Sequence, residues 1–197
     1  MTLPLHRTAR RLCGLLVTAL IAAAPAMAGE PPTPRPAAMP QPMPALSSSE
    51  CAVWMRELSF AHAVAQHDAT AFAEHLDPQA AFGASRPQPQ RGRAVISSEW
   101  TGIVAGKEGR LEWYPTRVTI AGRPDIAWSS GPSLFEDLTP GATQRFHIGA
   151  FRSVWARGED GVWRVLFDDG APARPATDEQ VAAFRNGRRD CTSLTSS

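Results

Sequence analysis

The chain has 197 residues, 43% of them hydrophobic, with 20 Lys and Arg against 19 Asp and Glu. That near-balance, a formal net charge of +1, excludes the basic excess of a nucleic-acid-binding surface. The length allows one ordinary domain with a real core once any processing segments are set aside.

The first segment reads as an address. Arg7, Arg10 and Arg11 precede an uncharged apolar run, Leu12 to Ala24, and Ala26-Met27-Ala28 follows it. A basic start, a short apolar core and an Ala-x-Ala site predict a signal peptide over residues 1–28, cut before Gly29. The run is too short for a membrane span, so nothing calls for a membrane after cleavage. Residues 1–28 hold three Arg and no acid, which leaves 17 basic and 19 acidic residues and a net charge of −2. The expected location is periplasmic or secreted.

Residues 29–49, "GEPPTPRPAAMPQPMPALSSS", contain seven prolines and few core formers. They read as a disordered linker. The domain itself is expected over 50–175, with a C-terminal helix and tail over 176–197. Cys51 and Cys191 stand at its two ends and are the cysteines left after processing. In an oxidising compartment such a pair predicts one disulfide. There is no Cys-x-x-Cys and no His beside either, so a metal-binding or catalytic thiol is the weaker alternative.

Ser47 and Glu50 form a capping box before a helix from Glu50 to Gln66, with Trp54, Leu58, Ala61 and Ala65 at helical spacing. Asp68 is an N-cap for a second short helix carrying Phe72 and Leu76. Ala80 to Gly83 reads as a short strand, and Gly92 to Ala105 as a third helix. The rhythm then changes. Leu111–Ala121 and Ile126–Phe135 read as strands, with Pro115 and Pro132 marking edges or bulges. Thr143–Arg157 and Val162–Asp169 form a hairpin across "RGEDG". Thr177 and Gln180 cap a final helix that stops at Asn186-Gly187. Helices followed by a meander predict an α+β fold with helices on one face of an antiparallel sheet.

The order of elements, with "FAHAVAQHDATAF", "GRAVISSEW", "LEWYP" and "GAFRSVWARGEDGVWRVLFDDG", resembles the SnoaL-like, nuclear-transport-factor-2-like superfamily over residues 50–170. The resemblance implies a cone built from a curved sheet and helices, with a pocket inside. That superfamily includes ketosteroid isomerases, polyketide cyclases and dehydratases, so the resemblance does not fix a reaction. The isomerases' oxyanion tyrosine falls at Phe60, their general-base aspartate near Gly83, and their protonated aspartate near Ser153. None of the three carries the needed group, which speaks against that reaction.

On the long strand, Phe146, Ile148, Ala150, Val154 and Ala156 alternate on one face with Arg152 among them. On the last strand, Trp163, Val165 and Phe167 share a face that Asp169 continues, while Asp168 points away with Arg164. Arg152 and Asp169 are therefore expected to meet at the pocket mouth, as a pocket pair or a framework ion pair. The opposite face, with Arg145, His147, Phe151, Ser153, Trp155 and Arg157, is a subunit contact in a homodimer or is covered by a loop of the same chain. The four histidines after the cut lack metal spacing and no His-Glu-x-x-His occurs, so neither a metal nor a cofactor is expected. The first reading is a binding module for a small, partly apolar ligand, walled by Phe82, Trp100, Trp113 and Phe146 with Arg152. The second is an isomerase, cyclase or dehydratase with Asp169 or Asp168 as acid or base. The third is a non-catalytic interaction protein.

Overall fold

The computed structural model describes residues 45–107 and 109–191. The expected signal peptide and most of the proline-rich stretch lie outside them. Helix α1 (Ser48–Ala65) begins at the expected capping box: Ser47 Oγ accepts from Glu50 N–H while Glu50 Oε2 accepts from Ser47 N–H. α2 (Ala69–Glu74) is capped by Asp68, whose Oδ1 accepts from Ala71 N–H at 2.9 Å. The third expected helix is two short ones, α3 (Arg93–Glu99) and α4 (Thr101–Val104), with Trp100 at the break.

The strands are β1 (Leu76–Phe82), β2 (Gln90–Arg91), β3 (Arg110–Trp113), β4 (Arg117–Ile120), β5 (Ile126–Glu136), β6 (Phe146–Arg157) and β7 (Trp163–Pro175). They form one sheet in the order β2-β1-β7-β6-β5-β3, with β4 also on β5. The sheet is mixed, because β1 lies parallel to β7 while the other pairs are antiparallel. Local alternation cannot show the direction of a non-local pair, so this feature was not readable from β1 alone.

Pro115, fully buried, divides the single strand expected over Leu111–Ala121 into β3 and β4. Proline has no N–H to give the ladder. The two pieces use different halves of β5: Trp113 pairs with Ser133 and Arg117 with Ser130. At the break the chain presses on Gly131, where a Cβ would stand 2.0 Å from the Tyr114 carbonyl oxygen. β6 and β7 are longer than their neighbours and form the expected hairpin.

The core lies between α1 and the inner face of the sheet. α1 contributes Trp54, Leu58, Phe60 and Val64, and the strands contribute Val118, Ala127, Phe151, Trp155, Trp163 and Val165, all buried. A fully buried aromatic or branched side chain contributes roughly 1.5–3 kcal/mol. α5 (Asp178–Gly187), started by the Thr177–Gln180 capping box, closes the end with Val181 and Phe184. Its tail is held by Trp54 Nε1–H donating to Arg189 O at 3.0 Å and by a Cys51–Cys191 disulfide, Cα to Cα 5.5 Å.

Candidate functional site

Alternation along β7 does not survive its whole length. Trp155 pairs with Val165, but its neighbour Val154 pairs with Phe167, so Leu166 is an extra residue on β7. Such a bulge reverses the two faces beyond it. Before it, Trp163 and Val165 point inward; beyond it, Phe167 is 42% exposed and Asp168 lies inward. The expectation that Asp169 continues the inner face is therefore corrected: Asp168 takes that place. The inner face of β6 is likewise the one with Phe151, Ser153 and Trp155, each buried. α1 and its neighbours cover it, while the outer face carries the cross-strand row Trp128, Val154 and Phe167.

Asp168 sits at the wall of a cleft of about 210 Å³. Aromatic and aliphatic side chains from different elements surround it: Phe60 of α1, Phe82 of β1, Trp100, and Leu111 and Trp113 of β3. Phe60 packs edge-on to Trp113 at 5.2 Å and stacks on Phe72 at 5.3 Å, and Trp100 stacks on Phe72 at 5.5 Å. Such a ring lattice holds the wall rigidly. Beside Phe151 of β6, Ala150, Gly170 and Ala171 line part of the sheet side without a bulky side chain, which leaves space open. Ser133, Gln90 and Arg86 add polar groups.

Ser153, opposite Asp168 in register, donates its Oγ–H to Asp168 Oδ2 at 2.7 Å. Burial pushes the Asp168 carboxyl up to about 6; the Ser153 bond works against this, and the Asp169 charge adds to it. Behind the wall, Glu57 is fully buried. Its Oε1 accepts from Trp113 Nε1–H and its Oε2 from Trp155 Nε1–H, both at 2.8 Å. Burial pushes Glu57 up to about 7, the two indoles oppose the shift, and Asp168 reinforces it. The indole N–H is a donor only, so Glu57 is the acceptor that fixes Trp113 against the cleft. Nothing in the α1 pattern marked it, since one acid among apolar positions reads as a surface residue.

The remaining expected residues are distributed as follows. Phe82, Trp100 and Trp113 line the cleft. Phe146 lies outside it, beneath the guanidinium groups of Arg145 and Arg185 at 5.4 Å each. Arg152 is exposed, and although it is the register partner of Asp169 no ion pair joins the two. Asp169 Oδ2 accepts instead from Ser85 N–H at 3.2 Å. The Leu166 bulge turns Asp169 to the outer face, and Arg152 lies there because the inner face of β6 is the one with Phe151, Ser153 and Trp155. His75 is buried against Phe60, its Nδ1 2.6 Å from Ala71 O and its Nε2 2.7 Å from Ser59 Oγ; burial pulls its pKa down to about 4. Among the described residues no group of His, Cys, Asp or Glu could hold a metal ion.

No protein-family model matches the chain, and no curated protein matches its sequence. Its structure is similar to several solved ones. An NTF2-like protein of unknown function from Pseudomonas putida superposes with a TM-score of 0.53 at 12% identity, over 69% of this chain and 94% of that one. An NTF2-like superfamily protein from Salmonella enterica gives 0.51 at 18%, over 67% and 96%. A candidate scytalone dehydratase from Novosphingobium aromaticivorans gives 0.53 at 11%, over 64% and 86%. The fold is thus the NTF2-like cone, α+β with a curved sheet and helices packed at its N-terminal side, as the sequence led one to expect.

Proposed function

We propose that this protein binds a small, partly apolar ligand in the cleft. One observation carries the reading: a single partly buried carboxyl, Asp168, stands in an aromatic-walled space that the chain leaves unfilled. Aromatic walls with a few convergent polar groups are the usual composition of a small-molecule site. The volume of about 210 Å³ is below the ~300–1,000 Å³ of drug-sized sites. It favours a ligand with one ring over a fused polycycle. Asp168 gives that ligand one oriented hydrogen-bonding partner.

The compartment belongs to the same proposal. The basic, apolar and Ala-x-Ala segments of residues 1–28 support export, and a Cys51–Cys191 disulfide suits an oxidising space. No helix of the described residues is long and apolar enough to cross a membrane. The test is a native mass spectrum of protein purified from the cells that make it. A small-molecule adduct lost on denaturation is expected in the wild type and not in Ala150→Phe, which fills the cleft. Equal adducts on both proteins would overturn the assignment to the cleft.

A second reading has its own observation. A carboxyl near pH 6 is matched to proton transfer at neutral pH better than an ordinary aspartate. Asp168 is then the acid or base of an isomerase-, cyclase- or dehydratase-type step. Deuterium wash-in next to the carbonyl of cyclohexenone, followed by NMR, separates the readings. Wash-in that Asp168→Asn abolishes supports chemistry; equal wash-in with both proteins leaves binding alone.

A further inference from the structure

Four charged or polar side chains line the cleft, and Arg86 is the cation among them. The ion pairs of the described residues occupy Arg110, Arg123, Arg145 and Arg164, and Arg86 is in none of them. Two carboxylates, Asp168 and Asp169, are near in space, yet neither takes it. Asp168 is bonded to Ser153 and Asp169 to the Ser85 backbone.

The backbone delivers Arg86 to this place. Gly83 N–H donates to Asp168 O at 2.9 Å, and Arg86 N–H returns to Gly83 O at 2.9 Å, closing a turn at the cleft rim. Gly83 has φ +65°, and a Cβ there would stand 2.9 Å from Arg86 Cδ and 3.2 Å from Nε. The arginine side chain therefore crosses a bare α-carbon to reach the cleft. The dihedral demands glycine, and a Cβ there would push the arginine side chain aside.

We infer that the cleft's ligand is an anion, a one-ring carboxylic acid whose carboxylate pairs with Arg86 while its ring lies among Phe82, Trp100 and Trp113. The inference rests on the reading that the cleft binds a small molecule. A guanidinium matches a carboxylate or a phosphate in two parallel hydrogen bonds. One arginine balances one charge, and Asp168 and Asp169 repel a second, so the singly charged carboxylate fits better than a phosphate of about −1.5 to −2. The acid group stays at the rim with Arg86, and a ring hydroxyl placed opposite it reaches toward Asp168.

The test compares 4-hydroxybenzoate with its neutral isostere 4-hydroxybenzamide by ligand-observed NMR, which reads weak affinities. A charged hydrogen bond of ordinary strength makes the acid bind about tenfold tighter than the amide. Arg86→Gln should remove that preference, so that acid and amide bind with equal affinity. Arg86 is exposed and Arg86→Gln leaves the core untouched. Equal binding of acid and amide by the wild type, or a preference that survives Arg86→Gln, would overturn the anionic ligand while the cleft remains a binding site. If neither compound binds, the binding reading falls and this inference with it.

Discussion

Ser153 and Asp168 face each other across the β6–β7 ladder, and the Ser153 hydroxyl donates to Asp168 Oδ2 at 2.7 Å. The bond fixes one carboxyl oxygen. Because the bond favours the charged form, Ser153→Ala should raise the Asp168 pKa further above 6. A carboxyl-carbon NMR titration of wild type and variant reads this directly, and an unchanged or lower value would refute it.

Stability should depend on pH through the fully buried Glu57 and the partly buried Asp168. Asp168 moves from 3.8 to about 6 and Glu57 from 4.5 to about 7 on folding. The folded state therefore holds protons that the unfolded chain releases. The charged forms are penalised, so stability is highest below about pH 4, declines between about pH 4 and 7, and stays lower above. Asp168→Asn keeps an acceptor for Ser153 and removes the charge. At pH 8 it should raise stability by about 1–3 kcal/mol, and at pH 4 change it little. Asp169→Asn should be near neutral at both. Thermal unfolding at the two pH values checks this; a loss of stability for Asp168→Asn at pH 8 contradicts it.

Glu57 should tolerate no polar isostere. Its two oxygens accept from Trp113 and Trp155. In Glu57→Gln the amide nitrogen must confront one indole N–H, leaving buried donors unpaired. The expected loss at pH 5 is about 1–3 kcal/mol, with a changed near-UV circular dichroism band from the two indoles. Unchanged melting and an unchanged band would show that the indoles do not depend on this carboxyl.

Cys51 and Cys191 enclose nearly the whole domain, 140 residues apart. Protein recovered from outside the cytoplasm should begin at Gly29 and resist alkylation until reduced. In the chain-entropy model so long a loop contributes up to ~5 kcal/mol, so reduction should lower the melting temperature by several degrees or more. N-terminal sequencing and alkylation with mass analysis test both parts. Free thiols in exported protein would contradict the pairing.

The frame was legible because its signals are local. Capping boxes at Ser47 and Thr177, the Asp68 cap and the β6–β7 turn all act within a few residues, and the structure has them. The aromatic wall was legible in Phe82, Trp100 and Trp113 because large apolar side chains must be covered. The polar end of the site was not. A single extra residue, Leu166, exchanges Asp168 with Asp169, and nothing in the apolar run Val165-Leu166-Phe167 announces a bulge. Arg152 was misplaced for another reason: alternation along β6 does not say which face the helices cover, and they cover the one with Phe151, Ser153 and Trp155. Arg86 lay in a stretch of proline and polar residues that reads only as loop, and its significance comes from Gly83 and β7, which the chain brings together from far apart.

The six tryptophans offer the most direct measurement. Trp100 and Trp113 line the cleft, Trp54, Trp155 and Trp163 lie in the core, and Trp128 is 37% exposed on the outer sheet face. Indole proton–nitrogen resonances can be followed while phenol is titrated into the protein. A cleft that binds one ring beside Asp168 predicts saturable shifts of Trp100 and Trp113, a still Trp128, and loss of both shifts in Ala150→Phe. Movement of Trp128 alone, or stationary Trp100 and Trp113 up to the solubility of phenol, would contradict the account.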